Sequence, residues 1–250
     1  MLVREYKDFD ELFYELNREV ILNPDKLIKY QQAAMGFQDN VLITCHNWDC
    51  HLDLGRFGYG IGKWKHLLKT YIDYDTYMEF RQKVVESTGL SLTFYFKQKK
   101  VHNGSCLIAL VLSRTDRHKP WSQVNVVWRT TETQRRLSAD LVLINRFIAE
   151  LPGNCQVQKV VLYMVQLYTS AAFVNGYLEF FDIDTRDIDA QDSWGWFVLG
   201  MNERYFKPGG KKCKFASLRR MQDFYLSGSN YTSVPCESLS IQRFFEGGTK

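Results

Sequence analysis

The sequence predicts an α+β fold: a mixed, mostly antiparallel sheet with helices packed on it. Three observations predict it. Two strongly apolar runs, CLIALVLSR (106–114) and SQVNVVWRT (122–130), flank a polar turn and read as a hairpin. Stretches with apolar residues at helical spacing lie on both sides of that hairpin. A third β-rich run, KVVLYMVQLYT (159–169), follows them. The chain of 250 residues is 45% hydrophobic and 24% charged, with no internal repeat or low-complexity linker, so one domain over 1–250 is expected.

Taken in order, residues 8–22 (DFDELFYELNREVIL) place apolar side chains at helical spacing and stop before Asn23-Pro24, which predicts a helix. Residues 41–54 (VLITCHNWDCHLDL) predict two short strands around Asn47-Trp48-Asp49. Tyr74 to Val85 reads as a helix ended by Thr88-Gly89, and LSLTFYF (90–96) as a strand with an aromatic stripe. The hairpin 106–130 is too apolar to lie at an outer edge. SADLVLINRFIAEL (138–151) predicts a helix stopped by Pro152-Gly153. Beyond 182, turns, aromatics and a basic cluster define no regular element.

Composition also excludes function classes. No apolar run approaches the roughly 18 residues that span a bilayer. The start, MLVREYKDFDELF, is acidic and amphipathic rather than a secretory signal, so a soluble cytoplasmic protein is expected. Six Cys without a framework are expected to be free thiols. A net charge of +4 does not demand nucleic acid and suits an anionic small molecule equally well.

Four stretches carry candidate chemistry. CHNWDCH (45–51) has thiols and imidazoles suited to zinc, but a hairpin would send neighbours to opposite faces, and no metal site is expected. GGKKCKFASLRR (209–220) lacks the GxxxxGK[ST] spacing of a phosphate loop and reads as a solvated basic patch. GRFGYGIG (55–62) lacks the strand and acidic partner of a dinucleotide fingerprint. The fourth is a constellation. Cys106 opens one strand of the hairpin, and Arg129 closes the other, followed by Thr130, Thr131 and Glu132. Asp140 comes eleven residues after Arg129, and Gln166-Leu167-Tyr168 lies on a later strand. These supply a nucleophile, a cation, hydroxyls, two carboxylates and a phenol. A guanidinium beside a thiol lowers its pKa, which predicts a reactive Cys106. Singly, each also has a plain reading, as a buried core thiol or a solvated arginine.

The stretches SCLIALVLSR, VVWRTTE, RRLSADLVL and VQLYTS, with GRFGYGIGKW and LSLTFYF upstream, resemble in order and spacing the thymidylate synthase and deoxycytidylate hydroxymethylase family. The resemblance is clearest over 55–180. It implies a thymidylate-synthase-like fold, a homodimer, a pyrimidine nucleotide monophosphate as substrate and 5,10-methylenetetrahydrofolate as one-carbon donor. Cys106 matches the nucleophile that adds to C6 of the base. Arg129 and Thr130 match phosphate ligands, Tyr168 the phenol on the sugar, and Tyr59 the tyrosine of the family's Tyr-Gly segment. Glu132 stands where the family has Asp. Asp140 stands where synthases carry Asn and cytidylate hydroxymethylases carry Asp. A carboxylate only accepts hydrogen bonds, so it suits the cytosine amino group and opposes uracil O4. The chain departs from the family at Ser105, Leu107, Trp128 and Gln166, and it shows no counterpart of the family's arginine pair or of its proton-shuttling Glu. Hydroxymethylation or methylation of dCMP is the leading expectation. A catalytically silent relative that binds nucleotide or a partner protein is the alternative, and a nucleic-acid module built on 209–220 comes third.

Overall fold

The computed structural model describes residues 1–30, 33–97, 106–206, 209–211 and 231–247. One seven-stranded sheet organises them, in the order β1-β3-β7-β6-β5-β4, with β2 also pairing β3. The strands are β1 (Leu2–Tyr6), β2 (Lys26–Tyr30), β3 (Ala33–Cys45), β4 (Ser91–Tyr95), β5 (Leu107–Ser113), β6 (Trp121–Glu132) and β7 (Cys155–Ser170). The β1–β3 and β6–β7 pairs are parallel and the other four antiparallel, so the sheet is mixed and mostly antiparallel. The β5–β6 hairpin lies inside the sheet, shielded by β4 on one side and β7 on the other.

Alternation divides the sheet into two rows. Val41, Ile43, Val124, Val126, Trp128, Leu162 and Met164 are buried together, and α1 (Phe9–Leu22) and α4 (Arg136–Ala149) pack on strands of this sheet. The alternate row, which includes Leu42, Val127, Val161, Tyr163 and Val165, stays partly exposed. The Asp8 side chain caps α1 by accepting from the Glu11 N–H at 2.9 Å. Helix α4 is buried on nearly every side. It meets β6, α1, a 3₁₀ turn at Leu54–Phe57 and another at Cys236–Ser238, and it buries the polar Ser138, Asp140 and Asn145 along with its apolar side chains. Helices α2 (Ile61–Tyr71) and α3 (Tyr74–Glu86) follow the first of those turns, and α5 (Ala171–Val174) follows β7 directly. Helix α6 (Ser193–Met201) and helix α7 (Ile241–Glu246) lie further on among the described residues. Among the described residues no helix is long and apolar enough to cross a membrane.

Two expectations are corrected. Residues 41–54 do not form two strands. They hold the end of the thirteen-residue β3, then an irregular loop from His46 that leads into the 3₁₀ turn. The strand extends upstream through Gln38, Asp39 and Asn40, whose polarity hides it, and Asn40 takes a left-handed φ of 53° within it. The CHNWDCH stretch is therefore a strand end and a loop rather than a hairpin. Helix α4 starts at Arg136, two residues before the predicted Ser138. Of the basic stretch 209–220, residues 212–220 lie outside the described residues, as does Ser105.

Candidate functional site

The site forms where the ends of β5 and β6 meet the first turn of α4. Cys106 immediately precedes β5, and its carbonyl accepts from the Arg129 N–H at 2.8 Å, so the two residues are cross-strand neighbours. The Cys106 thiol is half-buried, with Sγ 4.0 Å from Thr130 Oγ1. Asp140, on the second turn of α4, is fully buried. Its Oδ2 accepts from Thr131 Oγ1 at 3.2 Å, and its Oδ1 lies 3.5 Å from Arg136 Nε without a hydrogen bond. Arg136 also donates through Nη2 to the Tyr71 hydroxyl, which α2 brings to the same point, and the buried Trp128 Nε1 faces the carboxylate without completing a hydrogen bond.

Glu132 ends β6 and does a different job. Its carboxylate accepts from the backbone N–H groups of Gln134, Arg135 and Arg136 at 3.0, 3.1 and 3.2 Å. It thereby caps α4, satisfying donors that a helix N-terminus leaves open. Arg135 closes over it, with Nε 3.6 Å away and the guanidinium stacked 3.7 Å from the Phe173 ring centre. Tyr168 stands in register with Glu132 on β7 and packs on Phe37, ring centres 5.9 Å apart. Tyr59 follows the 3₁₀ turn, whose last residue hands on to Gly58 at a left-handed φ of 74°. The Tyr59 hydroxyl reaches Arg136. Gln166 points its amide at Asp39 Oδ1, 3.0 Å away.

The electrostatics join these residues into one site. Burial raises the Asp140 carboxyl above the usual carboxylate range, and Arg136 is the main influence holding it down. Glu132 is raised by burial too, against Arg135 and the three N–H groups. The Cys106 thiol is raised by burial and by the Asp140 charge, and Arg136, Thr130 and Arg129 offset this only in part. The expected lowering of that thiol by Arg129 is thus corrected. Arg129 does act on it, but burial and the carboxylate win. Burial likewise raises Tyr168, with Glu132 and Cys106 adding to the shift.

Cys106, Thr130, Glu132, Asp140, Tyr59 and Tyr168, chosen from the sequence, therefore share one neighbourhood, whereas Arg129 joins it through its backbone bond to Cys106 and its charge, from an exposed position. Arg136 and Tyr71 were not foreseen, although they are its hub. Arg136 carried a legible signal. It stands four residues before Asp140 on one helix face, and an Arg135-Arg136 doublet at a helix N-terminus works against the helix dipole. Tyr71 carried none, since only the packing of α2 brings it in. No protein-family model matches this chain, and no curated protein does either.

Proposed function

We propose that the protein transfers a one-carbon unit to C5 of a pyrimidine nucleotide monophosphate, with dCMP the preferred substrate. One observation carries this reading: a half-buried thiol shares its site with a fully buried carboxylate whose Oδ1 makes no hydrogen bond. That oxygen has only the charge of Arg136 Nε, 3.5 Å away, beside it. A buried acceptor short of a hydrogen bond costs about 1–3 kcal/mol, and a cytosine amino group is a donor that would satisfy it. Cys106, once ionised, adds to C6 of the base, and Asp140 receives the amino group and the proton gained at N3. Arg129 and Thr130 hold the phosphate, and Tyr168 the sugar. The resemblance alone names 5,10-methylenetetrahydrofolate as donor, and among the described residues no side chain is assigned to it. The partly exposed sheet row supports the proposed homodimer.

Release of tritium from C5-labelled dCMP, CMP and dUMP, with and without that donor, tests the reading. Release should be fastest from dCMP and absent from Cys106→Ala. The second reading, a catalytically silent nucleotide binder, is favoured by the raised Cys106 thiol. Nucleotide binding without any release from the wild type would establish it instead.

A further inference from the structure

Away from Cys106, two thiols meet beneath the C-terminal segment. Cys50, in the loop after β3, is 6% exposed, and Cys236, opening the 3₁₀ turn Cys236–Ser238, is fully buried. An antiparallel bridge between Asp53 and Pro235 sets the register there. The Cys236 N–H donates to the Leu52 carbonyl at 3.1 Å, and the Leu54 N–H to the Val234 carbonyl at 2.9 Å. Cys236 thus lies beside Leu52, two residues from Cys50, which brings the two thiols near enough to act on each other's ionisation. Cys236 Sγ also donates to Asn145 Oδ1 at 3.2 Å, an oxygen that accepts from Arg146 Nε at 2.8 Å. The pair is chemically asymmetric. Contact with Cys50 and the Arg146 charge lower the Cys236 thiol, whereas burial raises Cys50 well above the usual range. Cys45 and Cys155, by contrast, are both pushed up to about 12, chiefly by burial.

We propose that Cys50 and Cys236 are a redox pair which a peroxide closes to a disulfide, stapling segment 231–247 onto the loop that carries Tyr59. The Cys236 thiolate attacks one oxygen of hydrogen peroxide, the O–O bond breaks, and a sulfenic acid and hydroxide form. The Cys50 sulfur then attacks the sulfenic sulfur and expels water. That water carries off the Cys50 proton, and the proton Cys236 released on ionising neutralises the hydroxide, so two thiols and one peroxide give one disulfide and two waters. Because Cys236 is fully buried, reaction with peroxide requires local opening of segment 231–247. The staple has a route to the site. Asp53 accepts from Ser233 Oγ at 2.6 Å and from the Val234 N–H at 2.7 Å. The segment passes so close to Gly55 that a Cβ there would stand 2.1 Å from the Thr232 carbonyl oxygen. Tyr59 hangs from this turn, its N–H donating to the Leu54 carbonyl at 2.9 Å.

The test treats the reduced full chain with stoichiometric hydrogen peroxide, then alkylates, digests and maps its cysteines by mass spectrometry. A Cys50–Cys236 cross-link should dominate, reverse with dithiothreitol, and form equally in Cys106→Ser, which separates it from the proposed catalysis. Closing a loop of about 190 residues should raise the Tm by about 5 °C or more, and Cys50→Ser should lose both the link and the gain. Cysteines oxidised singly, links to other thiols, or a correct link with unchanged Tm would overturn the proposal. Should Cys50→Ser fail to fold, the map and Tm of the wild type decide alone.

Discussion

At the scale of single residues, the site turns on one oxygen. Asp140 Oδ1 has Arg136 Nε 3.5 Å away, so Arg136 and a bound base compete for it. Arg136 is also the leading influence keeping the Asp140 carboxyl ionised against burial. In Arg136→Gln the carboxyl should therefore rise further and protonate at higher pH. A protonated carboxyl donates, which suits uracil O4 rather than the cytosine amino group. The ratio of C5 exchange on dCMP to that on dUMP should fall several-fold in this variant. In the wild type it should fall as pH drops through the raised Asp140 pKa, because the acceptor is present only above it. A ratio independent of both pH and Arg136 would show that Asp140 does not read the base. The sequence displayed half of this arrangement. Cys106, Arg129 and Asp140 stood out as reactive types at suggestive spacing. Tyr71 was not singled out and Trp128 stood out only as a departure from the family's pattern, because their polar atoms matter only once α2 and β6 face the same carboxylate.

At the scale of elements, the junction of β6 and α4 places the site, and Glu132 holds that junction. Three backbone N–H groups converge on its carboxylate, a role invisible in a sequence that offered it as one of two carboxylates of the candidate site. Glu132→Ala removes a buried acceptor from three donors and should destabilise the fold by about 1–3 kcal/mol. That corresponds to a Tm lower by several degrees in a thermal melt. Glu132→Gln keeps one acceptor oxygen and should recover part of the loss. Equal Tm values for wild type and Glu132→Ala would remove the cap from the account. The apolar elements were the legible ones. The hairpin, α1, α3, α4 and β7 are each signalled by a single period of hydrophobicity. Strand β3 was cut short because Gln38, Asp39 and Asn40 break its alternation. Helix α2 was missed because four of its first six residues are Gly, Lys, Lys and His, leaving only Trp64, Leu67, Leu68 and Tyr71 to mark its buried face.

At the scale of the whole molecule, the sheet buries one row of side chains and leaves Leu42, Val127, Val161, Tyr163 and Val165 partly exposed on the other. Seven strands at a spacing of about 4.8 Å make this face broad enough to supply the roughly 800 Å² per partner of a stable interface. The wild type should sediment as a dimer, and Val165→Asp should weaken it at least tenfold without lowering the monomer's helical content. A monomeric wild type would remove the dimer. The mixed topology itself was foreseen only in outline, since parallel pairing of β6 with β7 depends on α4 crossing between them. The central claim is that Cys106 bonds to C6 of a pyrimidine nucleotide, and trapping that bond tests it most directly. With 5-fluoro-dCMP and 5,10-methylenetetrahydrofolate, fluorine at C5 blocks the final proton loss, so the adduct should persist. Peptide mass spectrometry should then find the nucleotide on Cys106 and on no other cysteine. An unmodified Cys106, or a nucleotide carried by Cys155 or Cys236, would contradict the account.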